Sequence, residues 1–155
     1  MPSNTSNLIK VTICIDDSKG SKTAFNWALE KLLTNKHQVT LINIPKFITP
    51  PTLLISPLTN IDFEFDCFKN DVEFGKRASI EILKEFSSRL DDLCIQHQIV
   101  SAFGDKEELV LQIESSGAEI VVIGSRGLGD FGRFALGSVS DHVVHHCKCT
   151  VIVVK

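Results

Sequence analysis

Five stretches of the chain are apolar and lack the two-residue alternation of a half-exposed strand. We predict strands over residues 8–15, 38–44, 99–103, 119–124 and 150–155, all of which contain valine or isoleucine. Strands without alternation are typical of a parallel sheet, because both faces of such a sheet are covered.

The segments between these strands carry apolar residues at helical spacing. In the first of them, alanines and a leucine fall four residues apart, and Ser18 or Ser21 could cap the helix. The predicted helices cover residues 22–33, a long span within 66–97, residues 106–116, and a last segment that ends near His146. Strand and helix therefore alternate along the whole chain.

This alternation predicts the α/β class: one domain over residues 1–155, with three α/β/α layers around a five-stranded parallel sheet. Residues 45–60 hold four of the five prolines and are predicted to be a loop, and we expect residues 1–7 to be a flexible N-terminus. Ligands of such sheets bind at the carboxyl ends of the strands. That edge carries Asp16-Asp17, the loop after Ile44, Gly104-Asp105 and a glycine-rich loop.

The composition excludes several classes of function. The net charge of −3 argues against broad nucleic-acid binding, which needs a basic face. No apolar stretch approaches the ~20 residues that span a bilayer, and the N-terminus lacks the pattern of a secretory signal. We therefore expect a cytoplasmic protein with no membrane partner. In that setting the five cysteines are expected to be free thiols, none of which holds zinc.

The segment "GSRGLGDFGRFALGS", residues 124–138, contains five of the nine glycines. Gly127, Gly129 and Gly132 form a G-x-G-x-x-G, but this motif follows the fourth strand and no carboxylate lies about twenty residues beyond it. We therefore reject a dinucleotide fingerprint. The P-loop pattern G-x-x-x-x-G-K-[ST] is also absent from the sequence.

A different spacing in this loop indicates phosphate binding. Gly124 and Gly127 are separated by two residues, and Gly137-Ser138 follows nine residues later, where the next helix begins. The glycines permit a tight exit from the strand with N–H groups free for an anion, and a helix N-terminus favours phosphate. The Ser138 and Ser140 hydroxyls could add hydrogen bonds, and Arg126 and Arg133 could add positive charge.

These glycines and their surroundings resemble the universal stress proteins, whose ATP-binding members carry the same glycine spacing. The segments "CIDDSKGSKTAFNWAL", "VTLINI" and "LGSVSDHVVHHCKCTVIVVK" also look like that family, so that the resemblance covers essentially the whole chain. It implies an adenine-nucleotide α-hydrolase-like fold and a homodimer, and we expect the pairing to run through the last strand, an apolar edge.

The resemblance also implies a site for ATP. Because carboxylates and phosphates suit Mg²⁺, Asp16 or Asp17 could order a magnesium-bound water there. Asp16 would contact the nucleoside and Ile44 the adenine through its backbone. The phosphates would lie against two short segments, which comprise Gly124, Ser125, Arg126, Gly127, Gly137, Ser138, Val139 and Ser140. The role of Asp17 is left open.

Two other functional classes fit the sequence less well. A phosphorelay receiver would place its phosphoacceptor aspartate directly after the third strand, and Asp105 falls too late. His142, His145 and His146 could suggest a metal site, but the Cys147-Lys148-Cys149 spacing is poor for zinc.

No nucleophile with its base, and no G-x-S-x-G elbow, is evident in the sequence. The preferred function is an ATP-binding, nucleotide-responsive stress module. The alternatives are a slow ATP-hydrolysing enzyme of the same fold and a dimeric interaction protein with an empty site.

Overall fold

The computed structural model describes residues 8–45, 61–126 and 136–155, and for residues 61–71 it describes the backbone alone. Five strands alternate with four helices in this part of the chain. The elements are β1 Ile9–Cys14, α1 Lys19–Lys31, β2 His37–Asn43, α2 Ile61–Asp92, β3 Gln96–Ser101, α3 Lys106–Ser115, β4 Ile120–Gly124, α4 Ser138–His146 and β5 Thr150–Val154. The expected flexible N-terminus, residues 46–60 of the Pro-rich loop and Gly127 lie outside the described residues.

The five strands form one sheet in the order β3-β2-β1-β4-β5, and every neighbouring pair is parallel. The central strand, β1, pairs with β2 on one side, where Cys14 lies opposite Ile42, and with β4 on the other, where Ile13 lies opposite Val122. The predicted α/β class and the five-stranded parallel sheet are confirmed.

Helices cover both faces of the sheet, as the apolar strands predicted. On one face α1 and α2 bury Phe25, Leu83 and Leu90 against β1, β2 and β4, and the rings of Phe25 and Phe86 meet edge to face at 4.8 Å. On the other face α3 and α4 bury residues such as Ile113 and Val143. The result is a three-layer α/β/α architecture. In the described ranges no helix is long and apolar enough to cross a membrane.

The start of α1 resolves the choice between two capping serines. Ser18 is the N-cap, because its hydroxyl oxygen accepts a hydrogen bond from the Ser21 N–H at 3.1 Å. The helix therefore begins at Lys19, three residues before the predicted start. The Ser21 hydroxyl instead accepts a hydrogen bond from the Asp16 N–H at 3.0 Å, so it ties the end of β1 to the helix.

The boundary between α2 and β3 differs from the prediction. Helix α2 ends at Asp92 and β3 begins at Gln96, inside the span of 66–97 that was expected to be helical. Cys94 has a positive φ of 53°, a left-handed conformation that cannot continue a helix. The strand was predicted too late because β3 is a sheet edge, where polar and exposed side chains such as Gln96 and Gln98 hide the strand pattern.

Candidate functional site

The strand order reverses between β1 and β4. From β1 the chain moves outward to β2 and β3, and it then returns to the other side of β1 to add β4 and β5. The connections after β1 and β4 lead to helices on opposite faces of the sheet. Ligands of open α/β sheets bind at such a switch point. Asp16 follows β1 there, and Ser125 and Arg126 follow β4.

The Asp16 carboxylate is held in one orientation by the turn that it forms. Its Oδ1 accepts hydrogen bonds from the Ser18 N–H at 3.0 Å and from the Ser18 hydroxyl at 2.5 Å. Among the described residues the other carboxylate oxygen of Asp16 accepts no hydrogen bond. Asp17 is exposed and pairs with Lys22 at 3.6 Å, outside this turn.

The first turn of α1 touches the end of β4, backbone against backbone. A Cβ added at Gly20 would overlap the Arg126 carbonyl oxygen. One added at Gly124 would lie 2.6 Å from the carbonyl carbon of Gly20, where real Cβ atoms are not found. Gly124 was predicted from its motif, whereas Gly20 was not assigned a role. The signal for Gly20 is a glycine in the first turn of a helix that otherwise contains good helix formers.

Helix α4 begins directly beside the Ser125-Arg126 segment. The Gly137 N–H donates to the Ser125 carbonyl at 2.9 Å, and the buried Ser140 hydroxyl donates to the carbonyls of Ser125 at 3.1 Å and Gly137 at 2.9 Å. Gly137 is the N-cap and supplies no side-chain hydrogen bond, and among the described residues the N–H groups of residues 138–140 have no hydrogen-bond partner. The positive end of the helix dipole therefore lies beside Ser125, at the end of β4.

Most of the predicted site residues come together in this region. Gly124 ends β4, and Ser125 and Arg126 follow it. Beside them lie the N-cap Gly137 and the first turn of α4, with exposed Ser138 and buried Ser140. The side chain of Val139 turns toward the core under α3 and α4. Within the described part of the chain the Arg126 side chain makes no ion pair.

Ile44 follows β2, the neighbour of β1, and is half-buried. It comes directly after Asn43, whose side-chain nitrogen donates to the Ile15 carbonyl at 2.6 Å. Asn43 is only 4% exposed, and no role was predicted for it. Its side chain links the ends of β1 and β2, the two strands that precede Asp16 and Ile44.

Gly104-Asp105 lies apart from the switch point, because β3 is the edge strand and β2 separates it from β1. Asp105 is the N-cap of α3 and accepts hydrogen bonds from the N–H groups of Glu107 at 3.1 Å and Glu108 at 3.5 Å. Hydrogen bonding, first to the Glu107 side chain and then to these N–H groups, lowers the pKa of Asp105. A helix cap accounts for this aspartate.

The cysteines and histidines near the C-terminus lie on and directly after α4. Among the described residues no group of three or more histidine, cysteine, aspartate or glutamate side chains could hold a metal ion. The rings of His142 and His146 stack at 3.9 Å on α4. Burial raises the pKa of the Cys147 thiol to about 11 and raises that of Cys149, so both are protonated at neutral pH.

Comparison with known proteins identifies the family. The model of the universal stress protein family matches residues 9–155. The chain is 30% identical to Universal stress protein PHOS32 from Arabidopsis thaliana over 160 residues, which covers 94% of this chain and 64% of that relative. This chain therefore spans somewhat less than two thirds of the length of that relative.

Solved structures share the fold. A universal stress protein family protein from Arabidopsis thaliana with AMP bound has a TM-score of 0.66 and 21% identity, and the match covers 95% of this chain and 91% of that one. A universal stress protein in complex with cAMP has a TM-score of 0.64 and 20% identity, with 95% and 97% covered. Given the family match over almost the whole described chain, this protein belongs to the universal stress protein family.

Proposed function

We propose that this chain binds ATP at the carboxyl ends of β1 and β4 and acts as a nucleotide-responsive regulatory module in the cytoplasm. The observation that carries the proposal is the N-terminus of α4, which has no side-chain cap among the described residues and lies beside the Ser125-Arg126 backbone at the switch point of the sheet. Open N–H groups at a helix N-terminus form an anion site. We infer that this anion is the phosphate chain of the nucleotide.

The geometry suggests a position for each part of the ligand. The phosphates would lie against the N–H groups of residues 138–140, with the Arg126 side chain close enough along the chain to add its charge. The nucleoside would lie toward the free oxygen of Asp16, and the adenine toward the Ile44 N–H. The sequence spacing places Gly127 with the phosphates, although it lies outside the described residues.

Two proteins with the same fold support an adenine nucleotide as the ligand class, since one has AMP bound and the other is in complex with cAMP. The proposal of a triphosphate is based on the glycine spacing of this chain and on the anion site at the N-terminus of α4. Mg²⁺ would bind through the phosphate oxygens, and the unbonded oxygen of Asp16 suits it as a carboxylate ligand, directly or through water. These are hard oxygen donors, which that ion prefers.

Calorimetry with a designed variant tests the proposal. The parent should bind ATP, and Gly127→Val should weaken binding about a hundredfold or more, because a β-branched side chain prevents close approach of backbone to phosphate. Leu111→Val, at an exposed position on α3, is the control and should bind like the parent. Circular dichroism should show the same fold in all three proteins. A folded Gly127→Val protein that binds ATP like the parent would contradict the proposed phosphate site.

The enzymatic alternative needs a separate measurement. Single-turnover incubation of ATP with an excess of protein, with and without Mg²⁺, measures hydrolysis directly. A nucleotide-responsive module should return the ATP intact over many minutes, whereas steady conversion to ADP would identify a slow hydrolase. Mass spectrometry of gently desalted protein would show whether ATP remains bound after purification.

A further inference from the structure

We propose that Asn43 is a positioning residue for base recognition, because its side chain keeps the Ile44 N–H out of the β1–β2 ladder. The inference rests on the proposed function, in which the Ile44 backbone contacts the adenine. It explains why the Ile44 N–H is available: the buried side chain of Asn43 takes its place in the ladder.

The first step is the register of the two strands. Cys14 lies opposite Ile42, and the Ile15 N–H donates to the Ile42 carbonyl at 2.8 Å. In a parallel ladder alternate residues of one strand face a given neighbouring strand, and each of them bonds the residues before and after the one opposite it. The next bond would therefore run from the Ile44 N–H to the Ile15 carbonyl.

That bond is replaced by one from a side chain. The atom that approaches the Ile15 carbonyl oxygen at 2.6 Å is the Asn43 Nδ2. A carbonyl oxygen only accepts hydrogen bonds, so this assignment of the amide nitrogen follows from the chemistry. Among the described residues the Ile44 N–H has no hydrogen-bond partner, and it lies at the half-buried end of β2.

Stability alone does not explain an asparagine at this position. Asn43 is 4% exposed, and its Oδ1 is buried without a hydrogen-bond partner among the described residues. An unpaired buried amide oxygen destabilises the fold, whereas an apolar side chain of similar size carries no such cost. The Asn43 Nδ2 occupies the Ile15 carbonyl in place of the Ile44 N–H. This single replacement leaves both the Ile44 N–H and the Asn43 Oδ1 without a partner among the described residues.

A free backbone N–H fits an acceptor nitrogen of an adenine ring. In guanine the nitrogen at the 1-position carries a hydrogen, and would oppose a donor there. Asn43 therefore has a part in selecting the base, although its own side chain need not touch the ligand. Pro45 supports the geometry, because the residue before a proline is restricted to extended conformations.

The bond arrangement can be tested without a ligand. In the parent, NMR should detect a coupling across the hydrogen bond from the Asn43 side-chain nitrogen to the Ile15 carbonyl carbon, and the Ile44 amide should exchange rapidly. In Asn43→Leu the ladder can close, and exchange of the Ile44 amide should slow about tenfold or more. A parent in which the Ile44 N–H itself couples to Ile15 overturns the proposal, whether or not the variant folds.

Base analogues test the consequence for recognition. AMP is compared with its 1-deaza, 3-deaza and 7-deaza forms, each of which lacks one ring acceptor. The parent should bind one of these about tenfold more weakly than AMP, and this difference should disappear in Asn43→Leu. Ser101→Ala is the matched control: Ser101 lies opposite Asn43 on β3, its hydroxyl donates to Ser79 at 2.8 Å, and its loss should leave the ratio as in the parent.

These experiments distinguish a failure of the role of Asn43 from a failure of adenine-nucleotide binding. A ratio that is unchanged in Asn43→Leu, or a parent that loses nothing with any deaza analogue, overturns the role of Asn43 while adenine-nucleotide binding stands. If the parent binds neither ATP nor AMP, the proposed function fails and the role in base recognition fails with it. The NMR measurement still decides which group occupies the Ile15 carbonyl.

Discussion

Gly20 and Gly124 bring two segments together that are about a hundred residues apart in sequence. Their backbones touch where α1 meets the end of β4, and neither position has room for a Cβ. The contact holds the Ser18 turn, and with it Asp16, against the Ser125-Arg126 segment. The close approach of these two segments therefore depends on the absence of a Cβ at Gly20 and at Gly124.

Replacing Gly20 with alanine should lower the free energy of unfolding by about 1–3 kcal/mol, because the new Cβ forces the helix away from the Arg126 carbonyl. The same change should weaken ATP binding. Gly75→Ala is the matched control within α2, where the added Cβ lies 3.6 Å from Phe103 in ordinary contact, and it should stabilise the protein by up to about 1 kcal/mol. Urea unfolding of the two variants measures the contrast, and equal effects would show that the Gly20 contact is unimportant.

Cys14 should make the stability depend on pH above 9. Burial, more than the nearby Cys147, raises the pKa of its thiol well above the ordinary 9.0. The folded state therefore disfavours the thiolate, and the stability that is present below pH 9 is lost as the pH rises beyond it. Between pH 7.5 and 10 the parent should lose about 1 kcal/mol more than Cys14→Ala. The chain has no tyrosine, and its lysines are common to both proteins, so a parallel decline of the two would refute the assignment.

At the scale of a single element, α4 divides its serines between two roles. Ser140 is buried, and its hydroxyl donates to the carbonyls of Ser125 and Gly137, so it holds these two backbone segments together. Ser138 is exposed at the first position of the helix. The two positions lie two residues apart on one helix but face different surroundings.

Alanine substitutions should separate these roles. Ser140→Ala should reduce the free energy of unfolding by about 1–2 kcal/mol, because the Ser125 carbonyl loses a buried donor. Ser138→Ala should leave stability within about 0.5 kcal/mol and weaken ATP binding several-fold. Thermal unfolding and calorimetry on both variants check this. The reverse pattern would mean that Ser138, and not Ser140, holds the Ser125 backbone against α4.

At the scale of the whole molecule the two edges of the sheet differ. The outer edge of β3 carries polar and exposed side chains, which discourage pairing with another strand. The other edge, β5, has the sequence TVIVV, and its middle three residues are half-buried although one side of the strand has no neighbour among the described strands. An apolar edge of this kind is suited to pairing with a second copy.

We therefore expect a homodimer that pairs through β5. Light scattering at about tens of micromolar protein should give the mass of two chains, consistent with an apolar edge. Val151→Lys should shift the protein to monomers, whereas Gln96→Lys on the β3 edge should not. A monomer mass for the parent would contradict the expectation, and a dimer that survives Val151→Lys would place the interface elsewhere.

Most of the strands and helices could be predicted from the sequence. Continuous apolar strands and helical periodicity predicted five parallel strands and four helices, because each pattern depends only on neighbours in sequence. The boundary of β3 was missed, since an edge strand does not need apolar side chains. The glycine spacing located the loop at β4 and the start of α4, because that motif involves only residues that are close together in the chain.

The sequence by itself determined the layers and the family resemblance, and it predicted the segments that a phosphate would contact. Only the tertiary structure decided that β1 and β4 are neighbours, that Gly20 lies on Gly124, and that Asn43 takes the place of Ile44 at the Ile15 carbonyl. These are contacts between residues far apart in sequence, and they depend on strand order and register. A local pattern records which face a residue occupies, but the identity of its neighbour across the sheet is set by how the whole chain packs.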